Sequence, residues 1–352
     1  MKRYEELVLV ASNGIKFEVS EKTNGALIIR ATPCSNNALS KPPTVLAGEY
    51  ATELSVYTDK DGNNAVVPPG WTVSGAKNEN TIWGKNEGLV IYCIPKKRAR
   101  TMHWSNEIEL EDLQKKYDQL TWVPVEKLDS NGTLDGVKFN EKFGRRDYQN
   151  NEFSESKFYE PLEGELALQF ESVKKYGGFY ISRYNISENW ETGKTQSVKG
   201  EKPWITTDFN KAREVAATLV GSDTIKSHLP YGAEYDSVLE WFIKSKSRNL
   251  SEIAEDSTNW GCHWNTKSTH KGHVVKTGSC ESWCNNNICD FAGNVSELTQ
   301  EKYEDKDFSD QYVIRGGNCN YDGSYYPVAY RVAGIPFYSY ECIGFRATIY
   351  IK

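Results

Sequence analysis

The chain has 352 residues, 38% hydrophobic and 26% charged, enough apolar material for one large or two modest domains with a real core. Its net charge of −6 argues against a nucleic-acid partner, because such binding draws on lysines and arginines that neutralise phosphates, and no basic stripe is visible. No stretch approaches the roughly 20 apolar residues of a membrane span, and the early LVLV run is too short for an export signal, so the expectation is no membrane insertion and synthesis in a bacterial cytoplasm without a signal peptide.

Residues 1–46 have a strand-like texture around a Pro- and Asn-containing loop, with ALIIR from Ala26 as their clearest strand, and read as a small separate module. A strand follows in GLVIYCI from Gly88. LEDLQKKYDQL places Leu110, Leu113, Tyr117 and Leu120 in helical register, and LTWVPV from Leu120 returns to a strand. Residues 129–164 are polar and punctuated by Asn and Gly, as in an insertion. GGFYISRY from Gly177 is a strand. Asp208 then caps a helix whose Phe209, Ala212, Val215, Ala216 and Leu219 share one face, and YGAEYDSVLEWFIKSK gives a second, with Val238, Trp241 and Phe242 aligned. Residues 249–287 form a long loop, a length usually kept for function, and FRATIYI from Phe345 closes the chain as a strand. The pattern predicts an α+β fold with two main helices, short antiparallel strands and much irregular loop.

The candidate chemistry is sparse. Of eight cysteines, Cys34, Cys93, Cys262, Cys319 and Cys342 are isolated, while Cys280, Cys284 and Cys289 are spaced C-x3-C-x4-C. With no C-x2-C pair, free thiols in a reducing compartment are a better reading than zinc. Five scattered histidines, no Ser-His-Asp spacing and no phosphate loop leave no catalytic constellation. Asp290-x2-Gly293-Asn294-Val295-x-Glu297 puts two carboxylates and intervening carbonyls within eight residues, which suits a hard cation.

Five motifs occur in fixed order: GGFYISRYNIS at Gly177, SHLPYGAEYDSVLEW at Ser227, DFAGNVSEL at Asp290, VIRGGN at Val313 and GFRA at Gly344. Together they resemble the formylglycine-generating-enzyme type of C-type lectin fold, over roughly residues 121–352. The resemblance implies that residues 47–352 form one lectin-like domain with a lead-in segment. It implies calcium on the side chains of Asp290 and Glu297 and the carbonyls of Gly293 and Val295, although Ser296 and Leu298 stand where the family has tryptophans. It also implies that Arg315 and Arg346 pin loops, and that Gly316 and Gly317 turn a backbone without room for a Cβ. The oxidases of this family hold copper on two cysteines, and the matching positions here are Tyr321 and Tyr326, so no cofactor is required on this reading and no enzyme activity is expected.

Between RGGN and IGFRATIYI the chain resembles the variable region of proteins diversified by retroelements. There, mutable Asn codons become NNY codons, which never encode Lys, Glu, Gln, Met or Trp. From Asn318 to Cys342 Glu341 alone belongs to those types, and six residues are tyrosine. The resemblance marks Cys319, Asn320, Tyr321, Asp322, Tyr325, Tyr326, Ala329, Tyr330, Val332, Ala333, Gly334, Ile335, Tyr338, Tyr340 and Cys342 as variable, ligand-facing positions. Gly323, Ser324, Pro327 and Arg331 are the constant spacers. Tyrosine brings large amphipathic contact area at low rotamer cost, as in paratopes. The function implied is display: a non-enzymatic protein whose hypervariable surface, within residues 318–342, recognises a protein or glycan on a target cell or phage host, from a virion or a cell surface. The alternatives are a formylglycine-generating-type oxidase and a structural phage or surface component with an incidental lectin-like fold.

Overall fold

The computed structural model describes residues 15–21, 27–33, 42–125, 133–134, 137–138, 145–146, 148, 157–266, 272–304, 311–337 and 339–352. It divides into two compact units, Met1–Pro42 and Pro43–Lys352. In the first, β1 (Ile15–Glu21) and β2 (Leu27–Pro33) form an antiparallel hairpin that pairs Ile15 with Pro33 and Glu21 with Leu27. Most of the segment read as an insertion, residues 129–164, lies outside the described residues.

Among the described residues the second unit holds, beside four two-stranded sheets, two main ones. In chain order their strands are β3 (Thr72–Val73), β4 (Val90–Tyr92), β5 (Gln119–Pro124), β6 (Phe158–Tyr159), β7 (Gly178–Ser182), β8 (Ile225–His228), β9 (Ser296–Tyr303), β10 (Gln311–Arg315), β11 (Val332–Gly334), β12 (Ile343–Gly344) and β13 (Thr348–Ile351). One sheet runs β8-β13-β7-β5-β4-β3, all antiparallel, and seats the C-terminal strand β13 between the edge strand β8 and β7. The other runs β6-β9-β10-β11, with β12 added in parallel to β9. β5, β7 and β13 are buried at every position, which is why their sequences are near-continuous apolar runs and not alternations.

Four helices pack against these sheets: α1 (Glu107–Lys116), α2 (Gly164–Tyr176), α3 (Phe209–Ala216) and α4 (Gly232–Lys244). Asp208 caps α3 by accepting from Lys211 N at 2.8 Å, and Phe209, Ala212, Val215 and Ala216 are its buried face. The first amides of α4 are taken by Glu160, which accepts from Gly232 N at 2.6 Å and Ala233 N at 2.9 Å. α2 was not predicted. Its GELALQFESVKKY carries an apolar stripe diluted by Gln169 and Ser172, both buried, so the 3.6-residue period is weak in the sequence; Leu166 and Val173 complete the buried face and Gly177 ends it with φ 79°.

The cysteine reading needs one correction. Cys284 and Cys289 are joined in a disulfide, because they face each other across a tight hairpin of residues 284–289. Cys93, Cys262, Cys280, Cys319 and Cys342 are free.

Trp241 of α4 is fully buried with its indole N–H donating to Ile82 O at 3.1 Å, and Phe345 is buried beside β13. Trp241→Ala or Phe345→Ala is expected to lower unfolding free energy by roughly 3–5 kcal/mol, read from denaturant midpoints at unchanged slope.

Candidate functional site

The residues from Arg315 to Cys342 leave the end of β10, cross the surface and return to β12. What fixes this path lies underneath. Asp236, on the buried face of α4, accepts from Arg315 Nη2 at 2.7 Å and from the backbone N–H of Arg146 at 2.9 Å, and it pairs with Arg331. Glu301 of β9 pairs with Arg145 at 2.7 Å, Arg331 at 3.1 Å and Arg315 at 3.7 Å. Burial would raise the Asp236 carboxyl, but Arg315 and Arg331 outweigh it and hold it below its ordinary range. Arg315 also lies 4.5 Å over the Tyr235 ring and donates to Ala329 O at 3.2 Å. Arg346 plays the matching part at the other end: it pairs with Glu297 at 2.5 Å and donates to the carbonyls of Ser182, Arg183 and Cys289. Both arginines therefore pin loops through fork-like hydrogen bonds, as their motifs implied.

The glycine pair between them is forced. Gly316 and Gly317 have φ of 94° and 64°, and a Cβ on Gly317 would lie 2.3 Å from Tyr326 O. The chain then runs against residues 249–266, which the sequence reads as loop but which open with a short helix over Leu250–Ala254, capped by Asn249. Ala329 N donates to Ile253 O, Val328 N to Ser257 Oγ, Ser257 N to Gly323 O, Gly323 N to Asn265 Oδ1 and Trp264 N to Tyr321 O, all within 3.2 Å. Two irregular segments thus satisfy each other's backbone where no sheet does. Beyond Arg331 the chain becomes β11, hydrogen-bonded to β10.

On this frame the predicted positions divide. Asn320, Tyr321, Tyr325, Ile335 and Tyr340 are exposed, and Tyr325 is the most open of them at 65%. Asp322, Tyr326, Tyr330, Val332, Ala333, Gly334 and Cys342 are half-buried, the three from Val332 to Gly334 because they form β11. Tyr338 lies outside the described residues. Two positions do not face outward and are corrected. Cys319 is buried against Cys262, Val275 and Trp283, and Ala329 is buried in the cluster around α4, because the backbone turns inward at both to be anchored. Of the spacers, Gly323 and Pro327 are buried and Arg331 is the ion-paired residue above, whereas Ser324 is exposed.

The exposed side chains are mostly aromatic and touch one another. Tyr321 meets Tyr326 edge-on at 4.8 Å and Tyr325 in a stack at 6.2 Å; Tyr325 and Tyr326 are 4.6 Å apart, Tyr326 and Tyr330 5.1 Å. The structure adds residues that sequence reasoning missed. Trp264 stands 55% exposed beside Tyr321 and Tyr325, and Phe337, 78% exposed, extends the surface. Asp236 was missed too, though a carboxylate on the apolar face of AEYDSVLEW is the signal that could have found it. Across the surface a cleft of about 640 Å³ opens between Lys202, Trp204, His273, Cys319, Glu341 and Cys342.

The calcium candidates lie below this surface. Asp290 Oδ2 accepts from Gly278 N at 2.7 Å, and Glu297 Oε1 accepts from Asn185 and Arg346. Asp290 Oδ1, Glu297 Oε2 and Asn185 Oδ1 are buried without a hydrogen-bond partner. Burial pushes the Asp290 carboxyl up to about 6 and the Glu297 carboxyl up to about 7, with Arg346 opposing. Orphaned carboxylate oxygens in a dry site suit a hard cation. Among the described residues no three His, Cys, Asp or Glu side chains converge, so a cation here would complete its shell with the carbonyls of Gly293 and Val295.

A sheet pair with helices on its flanks, two buried arginines and a surface made of long loops defines a lectin-like scaffold. The chain belongs to the family of sulfatase-modifying factor enzyme 1-like domains, which residues 169–351 match. The fold is the formylglycine-generating-enzyme type of C-type lectin fold. Two solved structures are similar at low identity. Treponema denticola variable protein 1 is 14% identical over 49% of this chain and 84% of its own, with a TM-score of 0.34. The crystal structure of CarF is 16% identical over 50% and 87%, with a TM-score of 0.32. No curated protein matches the sequence. Among the described residues no helix is long and apolar enough to cross a membrane.

Removing Arg331 would take one guanidinium partner from each of two buried carboxylates, Asp236 and Glu301. Arg331→Met is expected to cost about 3–5 kcal/mol in unfolding free energy, while Ser324→Ala, the exposed spacer, stays within about 0.5 kcal/mol; equal costs would contradict the anchoring role.

Proposed function

We propose that this chain is a non-enzymatic ligand-display protein whose surface within residues 318–342, diversified by a retroelement, recognises a protein or glycan on a target cell or phage host. The observation that carries the reading is the split between spacers and variable positions. Three of the four spacers, Gly323, Pro327 and Arg331, are buried or ion-paired, whereas Tyr321 and Tyr325 are exposed and Tyr326 and Tyr330 are half-buried. Substitution at an outward ring changes the binding surface and leaves the anchors of the loop intact.

A second reading is favoured by family membership, since the family's own name is that of an enzyme factor. Against it, the positions that match the copper-binding cysteines of the oxidases hold Tyr321 and Tyr326, packed edge to face. Formation of formylglycine from a sulfatase-type cysteine peptide, with copper and oxygen supplied, would establish the enzyme instead.

Calcium belongs to the same proposal. Asp290 and Glu297 would hold it, and it would supply the positive charge their orphaned oxygens lack, fixing the loop below the display surface. Adding calcium to metal-free protein is expected to raise the melting temperature, with stabilisation of about 2.7 kcal/mol at about 100 times the Kd. Identical melting with calcium and with chelator would leave the carboxylates as loop caps.

The display reading is tested on stability and on the gene. Alanine at Tyr321, Tyr325 or Tyr340 is expected to move unfolding free energy by no more than about 0.5 kcal/mol. The DNA flanking the gene is expected to hold a near-copy of the codons for residues 313–351, differing only at adenines, beside a reverse transcriptase gene. Tyrosine variants as unstable as Trp241→Ala would make the segment core and overturn the proposal.

A further inference from the structure

At one end of the tyrosine surface lies a hollow of about 360 Å³ lined by Trp264, Asn320, Tyr321, Asp322 and Tyr325. Its walls are three exposed aromatic side chains from two different segments. Trp264 comes from the loop of residues 249–266 and is set by its own backbone N–H, which donates to Tyr321 O at 3.0 Å. Asn265, the next residue, fastens the floor by accepting from Gly323 N at 3.0 Å and Thr258 Oγ1 at 3.0 Å. The hollow is therefore held from both sides by backbone bonds.

Asp322 supplies the charge. Its carboxylate makes no hydrogen bond or ion pair with the described residues, and its Oδ1 is buried without a partner. An anion beside aromatic walls, with no cation among the described residues lining the hollow, is half of a recognition site: the ring faces carry negative potential and the carboxylate adds a full negative charge. A sugar hydroxyl bonded to Asp322 would leave that charge unmatched. A cationic side chain would meet the carboxylate with its head and the rings with its methylene stem, which is how such side chains pack on aromatic surfaces.

We infer that Trp264, Tyr321, Tyr325 and Asp322 form a cage for a lysine or arginine side chain of a protein ligand. This inference rests on the display reading and narrows its target to a protein with an exposed basic residue. Trp264 lies outside the variable segment, so one aromatic wall stays fixed while the other two and the carboxylate can be exchanged. Cation recognition is then a property of this version of the surface.

The test uses the full chain and free fragments, so it can fail while the tyrosine scan and the gene still support display. Nα-acetyl-lysine methylamide, Nα-acetyl-arginine methylamide, the neutral norleucine analogue and methyl glycosides are titrated separately and followed by saturation-transfer NMR. At least one cationic fragment is expected to bind five-fold or more tighter than norleucine, and more weakly as salt is raised. Asp322→Asn, which keeps the shape of the side chain, and Trp264→Ala should each weaken that binding five-fold or more at unchanged melting temperature. Equal binding of norleucine and the cations, binding of a glycoside without a cation, or an Asp322→Asn variant that binds as well as the parent would each overturn the cage.

Discussion

Asp236 and Glu301 meet three guanidiniums, those of Arg145, Arg315 and Arg331, in a region closed to water, and the three arginines come from distant parts of the chain. Such a cluster is costly to assemble, because every charge in it gives up hydration, and removing a member leaves its partners with fewer opposite charges in a dry site. It therefore acts as a geometric constraint. The helix bearing Asp236, the strand bearing Glu301, the turn after Arg315 and the return after Arg331 are compatible with the network in one arrangement. The outer loop between Arg315 and Arg331 inherits fixed ends without needing a core of its own.

The loops of the display face are held by the same logic at lower energy. Residues 249–266 and 321–329 exchange backbone hydrogen bonds, so neither needs a sheet to satisfy its polar groups. This separates the residues that hold the path from those that face outward. Backbone groups, Gly317, buried Cys319 and Arg331 fix the route, while side chains such as Tyr321 and Tyr325 project from it and contribute little to holding it. A surface of this kind can change its chemistry at low cost to stability.

The arrangement also explains why Trp264 matters in a segment with no obvious chemistry. Its side chain is exposed, yet its backbone is bonded to Tyr321. A residue placed in this way shares a surface with the tyrosines without being part of their segment. It adds to that surface an aromatic element from a different part of the chain.

Several features were legible in the sequence because local chemistry dictates them. The apolar runs of β5, β7 and β13, the Asp208 cap and stripe of α3, and the turn at Gly316 and Gly317 each follow from residues within one short window. The exposure of Tyr321, Tyr325 and Tyr340 was legible too, since the interrupting Gly, Pro and Ser dipeptides break the alternation a core strand would need. Tertiary structure alone decided the rest. No local pattern shows that Arg331 is bonded to a helix almost 100 positions earlier in the chain, that Cys319 and Ala329 turn inward, that Trp264 stands beside Tyr321, or that Asp322 has no partner among the described residues. Each depends on which distant groups share a dry space, and a window of sequence carries the identity of those groups without their distance.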